Sequence, residues 1–318
     1  MRSVRMGSAV IIEPTADRAA PMSRPAPVAG PSNEPVEQYA DIDTVLARAS
    51  AENFPVALGV LPRRLRAHLT AIYGYARLVD NLGDEYGGDR SAALDWLESQ
   101  IDDLYAGAPR HEVFRRLAVT VQAFDIPRGP FDQLLAANRL DQSKTGYADW
   151  EELLGYCELS ANPVGHLVLA VFEASTPQRR ASSDAVCSGL QVLEHLQDVG
   201  EDAAAGRVYL PAEDMARFGC TPADLLAPVA GEPLRRLVAF ECDRARELLT
   251  EGRTLVASLR GFARLAVTGF VAGGLAGLDA IEAAGFEVLG ATRTAGTGRL
   301  LRRALPLYLE AVLGRGSV

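Results

Sequence analysis

None of the four cysteines, Cys157, Cys187, Cys220 and Cys242, stands in a CxxC pair. That spacing speaks against a zinc site and leaves free thiols, the state expected of a chain in a reducing cytoplasm. Histidine is scarce as well, and His68, His111 and His166 have no partner at metal-ligand spacing. No run of eighteen or more apolar residues occurs, which speaks against a membrane-spanning helix. Arg2 and Arg5 are followed only by a short apolar patch, Ala9 to Ile12, cut off by Glu13 and Pro14, too weak for a secretion signal. Positive charge is not in excess: the formal net charge is −9, which argues against a nucleic-acid partner. It does not exclude an anionic substrate, because metal ions reverse the local sign at a carboxylate-rich site. No GxGxxG follows a strand-like run, so there is no Rossmann nicotinamide site. Alternating β-branched strands and a repeat of fixed period are also missing.

Apolar residues, at 48%, are ample for a core. Residues 1–40 are rich in Pro, Ala and Ser, with Pro25, Pro27, Pro31 and Pro35 interrupting any periodicity, and read as a disordered tail. From Asp41 onward, amphipathic runs are broken at Gly and Pro. Leu65, Leu69, Ile72, Tyr73 and Ala76 recur at helical spacing, and Trp96, Leu97, Ile101 and Leu104 repeat the pattern. Later runs cover Val113–Phe124, Phe131–Leu140, Trp150–Phe172, Ser183–Val199, Leu234–Leu259 and Phe262–Phe286. The expectation is an all-α fold with a single domain over residues 41–318.

Two segments share a chemical pattern. Tyr73, Arg77, Asp80 and Asp84 are spaced by four, three and four residues and share one helix face. Gln191, Glu194, Asp198 and Asp202 form a second stripe, spaced by three, four and four. Carboxylates at i,i+4 lie roughly 6 Å apart along the axis and repel. Burying them demands a compensating cation. Mg²⁺ supplies it, being hard, oxygen-seeking and content with one or two carboxylates plus water and substrate phosphate. One DxxxD alone is usually a solvated face; two, each with Arg, Tyr or Gln on its stripe and apolar neighbours, point to a metal-diphosphate site.

The stretch Leu196-Gln-Asp-Val-Gly-Glu-Asp202, continued by Gly206-Arg-Val-Tyr-Leu-Pro211, resembles the second signature of the squalene/phytoene synthases, and Leu69–Glu85 resembles the first. Glu52-Asn-Phe-Pro-Val-Ala57 and Ser160-Ala-Asn-Pro-Val-Gly165 are similar to the hydroxysqualene synthase branch of bacterial hopanoid pathways. The resemblance spans about Ala51 to Phe286 and implies an isoprenoid-synthase helical bundle around a central apolar cavity. It implies that Asp80 and Asp84 belong to a first Mg²⁺ site, and Asp198 and Asp202, with Glu194, to a second. Arg77 would take diphosphate oxygens as a forked donor, Tyr156 and Gln191 would line the pocket, and Arg207 and Tyr209 would close over the diphosphate. The implied substrate is presqualene diphosphate, with farnesyl diphosphate for the condensing branches. The implied partner is a sister synthase that makes presqualene diphosphate.

Four positions depart from the family pattern. Asn81 stands in place of a second adjacent Asp, Glu194 in place of an Asn ligand, Asn53-Phe-Pro55 in place of Ser-Phe-Ser, and Gly274 where the carotenoid branch carries a pocket Tyr. Losing that ring would widen the cavity. Together the departures favour water capture over head-to-head condensation. A catalytically silent isoprenoid-binding partner is the third reading, opposed by the four retained Asp residues. Asp141 is either a ligand-side carboxylate or a helix end, His195 either lines the cavity or fills the core, and Glu85 and Glu201 are expected to face solvent. Arg63, Arg64 and Arg66 form a solvated face or a transient contact for anionic lipid. The expected location is cytoplasmic, at most peripheral to a membrane.

Overall fold

The computed structural model describes Val36 and residues 61–290 and 296–314. Among the described residues there is no β-strand, only one isolated parallel bridge between Gly146 and Val208. The helices are α1 (Arg63–Asp80), α2 (Arg90–Tyr105), α3 (Glu112–Phe124), α4 (Gly129–Leu140), α5 (Trp150–Ser160), α6 (Asn162–Val171) and α7 (Pro177–Gln197). They continue as α8 (Val199–Ala204), α9 (Ala212–Phe218), α10 (Pro222–Leu225), α11 (Glu232–Ser258), α12 (Gly261–Ala283) and α13 (Thr297–Val312). The all-α expectation holds.

Local signals start these helices. Asp89 caps α2 by accepting from the Ala92 amide (3.1 Å), Asp149 caps α5 through Glu152 (2.9 Å), and Thr176 caps α7 through Arg179 (3.2 Å). Prolines that read as breaks are mostly first-turn residues: Pro130, Pro163, Pro177 and Pro233 open α4, α6, α7 and α11. Pro163 also corrects the expected single run Trp150–Phe172. The ring cannot continue α5, so the chain breaks at Ala161 and restarts as α6.

The core has two parts. Leu69, Ile72, Tyr75, Leu97, Ile101, Phe114 and Phe131 pack α1–α4 together, with Leu167 and Val168 of α6 joining them. Leu193, Leu196, Leu234, Val238, Leu249, Val271 and Ile281 form the second part around α7, α11 and α12. Val36, which the sequence reading places in the tail, is helical and packs on the first part; a proline just before it is compatible with a helix start. The remaining residues of 1–40 lie outside the described residues. Helix α12 is long and apolar enough to cross a bilayer by length and composition, correcting the reading that no such segment exists. Its small residues escaped a search for unbroken apolar runs. Because 61% of its most apolar window is buried in this fold, it is a core helix.

Candidate active site

The first acidic segment sits at the end of α1. Tyr73, Arg77 and Asp80 are buried there, and the helix then widens into a π-helical turn, Asn81–Glu85, closed by Tyr86 N donating to Asn81 O (2.9 Å). Such turns insert a residue into the helical repeat and re-aim the side chains that follow. Asp84 is therefore not on the straight α-helical stripe that its spacing predicts. Its Oδ1 accepts from Arg207 Nη1 at 2.6 Å, across 123 positions of chain, and its carbonyl accepts from Arg90 Nη2 at 2.7 Å. Asn138 Nδ2 reaches Asp80 Oδ1 at 3.4 Å. That approach needs Gly83, where an added Cβ would fall 2.1 Å from Asn138 Oδ1. Glu85 does not face solvent as expected. It is mostly buried and pairs with Arg77 at 3.4 Å, because the π turn swings it back over α1.

The second stripe is not one helix either. Helix α7 ends at Gln197, Asp198 leaves helical geometry (φ −107°, ψ 13°), and the chain resumes as α8. Gln191 and Glu194 are buried on α7, whereas Asp198 and Asp202 are half-buried. Glu201 is exposed, as expected. Gly206, at φ 80°, turns the chain back after α8 in a conformation glycine adopts freely, and this aims Arg207 at Asp84. Burial pushes the Asp202 carboxyl up to about 7; Arg207 opposes this, while Asp198 and Asp84 add to it. Burial alone would lower Arg207, but Asp84 and Tyr209 outweigh it and hold the guanidinium charged.

An aromatic group adjoins this rim. His195 and Tyr209 stack with ring centroids 3.8 Å apart and planes 6° from parallel, and Tyr147 and Tyr156 complete the cluster. Tyr156 Oη donates to Asp141 Oδ2 at 2.7 Å, and Tyr209 Oη lies 3.5 Å from Asp141 Oδ1. Burial pushes Asp141 up to about 6, against the Tyr156 hydrogen bond. Burial, helped by Arg207, drives His195 down to about 3, so the ring is neutral and accepts from Gln191 Nε2 at 3.3 Å. Asp141 caps the end of α4 and is also tied to the tyrosines, and His195 is buried among them, not on the wall of the apolar cavity. Tyr147 has no spacing signal in the sequence. The bridge of its neighbour Gly146 to Val208, and its own carbonyl accepting from Ala212 N at 2.9 Å, place it.

An apolar cavity is lined by Val168, Leu169, Leu190, Leu193, Val267 and Phe270, with Glu194 and Gln197 on its wall. Gly274 lines it too, but a Cβ there would lie 2.7 Å from Leu190 Cδ2 and 2.9 Å from Leu249 Cδ1. The missing side chain is therefore taken up by close helix packing, not by extra cavity width. Asn53 lies outside the described residues.

The donor set fits a hard cation. Asp80, Asn81, Asp84, Glu194, Asp198 and Asp202 offer only oxygen, and Asn81 Oδ1 is buried without a hydrogen-bond partner. Among the described residues, no three His, Cys, Asp or Glu side chains already converge as a metal cage.

Comparison with known proteins agrees with this geometry. The family model for squalene/phytoene synthase matches residues 47–303. The chain is 35% identical over 215 residues to the hydroxysqualene synthase of Rhodopseudomonas palustris, covering 66% of this chain and 72% of that one. It is 30% identical over 290 residues to the 15-cis-phytoene synthase of a Synechocystis species, covering 87% and 86%. The crystal structure of squalene synthase HpnC from Alicyclobacillus acidocaldarius superposes with a TM-score of 0.72 at 41% identity, covering 80% of this chain and 97% of that one. A dehydrosqualene synthase in complex with ligand shares the fold, with a TM-score of 0.76 at 24% identity over 88% of this chain and 97% of that one. With two acidic segments joined by Arg207 and Asp84, with Glu194 of the second on the wall of an apolar cavity, and with most of its length matched, the chain belongs to the squalene/phytoene synthase family.

Proposed function

We propose that this chain is a hydroxysqualene synthase, an enzyme that ionises presqualene diphosphate and lets water capture the carbocation. The observation that carries the reading is the Arg207–Asp84 pair, which joins the two acidic segments, the second of which puts Glu194 on the wall of the apolar cavity. Asp80, Asp84, Glu194, Asp198 and Asp202 would hold Mg²⁺, which when bound stabilises the departing diphosphate. Arg77 and Arg207 supply forked donors to its oxygens. In the step proposed, the carbon–oxygen bond breaks and its electron pair leaves with the diphosphate. The apolar wall excludes bulk water while the cyclopropylcarbinyl cation rearranges. One water then forms the new carbon–oxygen bond and gives its proton to the departed diphosphate or to Glu194, which lines the cavity.

Condensation of two farnesyl or longer prenyl diphosphates is the second reading, favoured by the longer alignment to the Synechocystis phytoene synthase. The test is to incubate the protein and Mg²⁺ with presqualene or farnesyl diphosphate, with and without NADPH, and to identify the lipids by mass spectrometry. Hydroxysqualene from presqualene diphosphate without NADPH is the expected result. Consumption of farnesyl diphosphate would establish the second reading, and binding without any turnover would establish a silent partner of a sister synthase.

A further inference from the structure

Helix α9 follows directly on Arg207–Pro211, the segment that carries Arg207 to Asp84. Its first turn is tied to the start of α5: Ala212 N donates to Tyr147 O at 2.9 Å, Glu213 N to Ala148 O at 3.0 Å, and Trp150 N to Glu213 Oε1 at 3.2 Å. Its other side rests on α11, where Met215 enters the second core and Phe218 lies against Phe240, ring centroids 5.4 Å apart. Two carboxyls meet at this contact. Asp214 of α9 is 3% exposed and Glu241 of α11 is 1% exposed, and the two groups are within hydrogen-bonding reach of each other. One guanidinium serves both. Arg244 Nη1 donates to Asp214 Oδ2 at 2.6 Å and lies 3.5 Å from Glu241 Oε1, while no donor reaches the buried Glu241 Oε2. The guanidinium is itself fixed over the rings of Trp150 and Phe240, 4.8 and 4.3 Å from their centroids.

Two carboxylates against one arginine leave a net negative charge in a dry contact, and a group so placed takes a proton instead. Glu241 takes it, having the weaker share of Arg244. Burial pushes its carboxyl up to about 8, with Arg244 opposing and Asp214 adding to the rise. Neighbouring charges are committed elsewhere. On α9, Glu213 faces the Trp150 amide and Arg217 lies over the Phe240 ring. On α7, Asp184 meets His166, Glu194 lines the cavity and His195 stacks on Tyr209. Asp279 and Glu282 of α12 pair with Arg246, and Glu310 of α13 pairs with Arg253. We infer that Glu241 and Asp214 share one proton, and that this protonated pair clasps α9 to α11 and so holds Arg207 in place. Glu241 is a positioning residue, acting through α9 from outside the cavity and the acidic segments. Above about pH 8 the pair carries an uncompensated charge, so α9 loosens and Arg207 loses its fixed approach to Asp84. The sign follows from the folded carboxyl holding its proton to higher pH than the unfolded chain does, where it leaves near pH 4. The inference does not depend on which reaction the site performs.

Fluorescence tests the shared proton. The chain has two tryptophans, Trp96 and Trp150, and Arg244 lies over the second. In a Trp96→Phe background, Trp150 emission should show a transition centred near pH 8. Glu241→Gln, which keeps a donor for Asp214 and cannot ionise, should abolish that transition. Asp214→Asn removes the like charge and should move it down by about one pH unit. Hydrogen exchange reads the coupling to Arg207. Between pH 6.5 and 9, exchange over residues 206–218 in the wild type, divided by that in Glu241→Gln, should rise about tenfold, while the same ratio for α2 stays level. Any of four results would overturn the inference: no emission change between pH 7 and 9, a change that survives Glu241→Gln, an unmoved midpoint in Asp214→Asn, or an exchange ratio that stays flat or rises equally in α2.

Discussion

The two acidic segments resemble each other in sequence and differ in how the fold treats them. The first, at the end of α1, is deeply buried, and its charge is met from within: Arg207 binds the Asp84 carboxylate, Arg77 binds Glu85, and Asn138 reaches Asp80, while Arg90 holds the Asp84 backbone carbonyl. The second, across the α7–α8 break, is half-buried at Asp198 and Asp202, and Asp202 is pushed up to about 7. One segment is thus buried and paired from within, the other half-buried with a raised carboxyl, and Arg207 comes from the second and rests on the first.

The largest effect should fail to distinguish them. Asp84→Ala and Asp198→Ala are each expected to lower turnover at saturating Mg²⁺ by about 10²–10³-fold or more, the scale of losing one positioned group that stabilises departing charge. Full activity of either variant in a product assay would break the account.

Stability should then separate the segments. Asp84→Ala strands Arg207, and chemical denaturation should show a loss of about 2–3 kcal/mol, the lower end for a broken buried pair because the arginine side chain keeps 17% exposure. Asp198→Ala removes a half-buried carboxylate beside Asp202 and should cost less stability than Asp84→Ala. Gly83→Ala probes the first segment by packing alone. Its new methyl meets Asn138, and a cost of about 1–3 kcal/mol is expected in the same denaturation experiment.

The smallest effect is a pH slope. Asp202 has a folded pKa above the value of about 4 that an unfolded chain gives it. Between about pH 4 and 7 the folded protein therefore holds more protons than the unfolded one, so the stability of the metal-free protein falls as pH rises through that window. Asp202→Asn should flatten this slope in thermal melts, whereas a slope as steep as wild type would assign it elsewhere.

Helical periodicity made most of the fold legible, because apolar residues at three- and four-residue spacing have few alternatives to one buried face. The acidic residues were legible as a group because their types and spacing match a metal-diphosphate site. What spacing misjudged is geometry that depends on contacts distant in sequence. The π turn at Asn81–Glu85 is coupled to the approach of Asn138 from α4, and it moved Asp84 and Glu85 off the faces their numbers assign. The break at Asp198 divides a stripe that reads as continuous. Gly274 reads as a missing wall, yet Leu190 and Leu249 close on it. Tyr147 and Asp141 join the site through a bridge beside Val208 and hydrogen bonds from Ala212, Tyr156 and Tyr209, none of which leaves a periodic trace.

The central claim is that both segments together hold divalent cations for a diphosphate. Titration calorimetry with inorganic diphosphate, with and without Mg²⁺, tests it most directly on wild type, Asp84→Asn and Asp198→Asn. Binding that requires Mg²⁺ and is lost in each variant is the predicted result. Binding that persists without the metal, or survives in either variant at wild-type strength, would contradict the account.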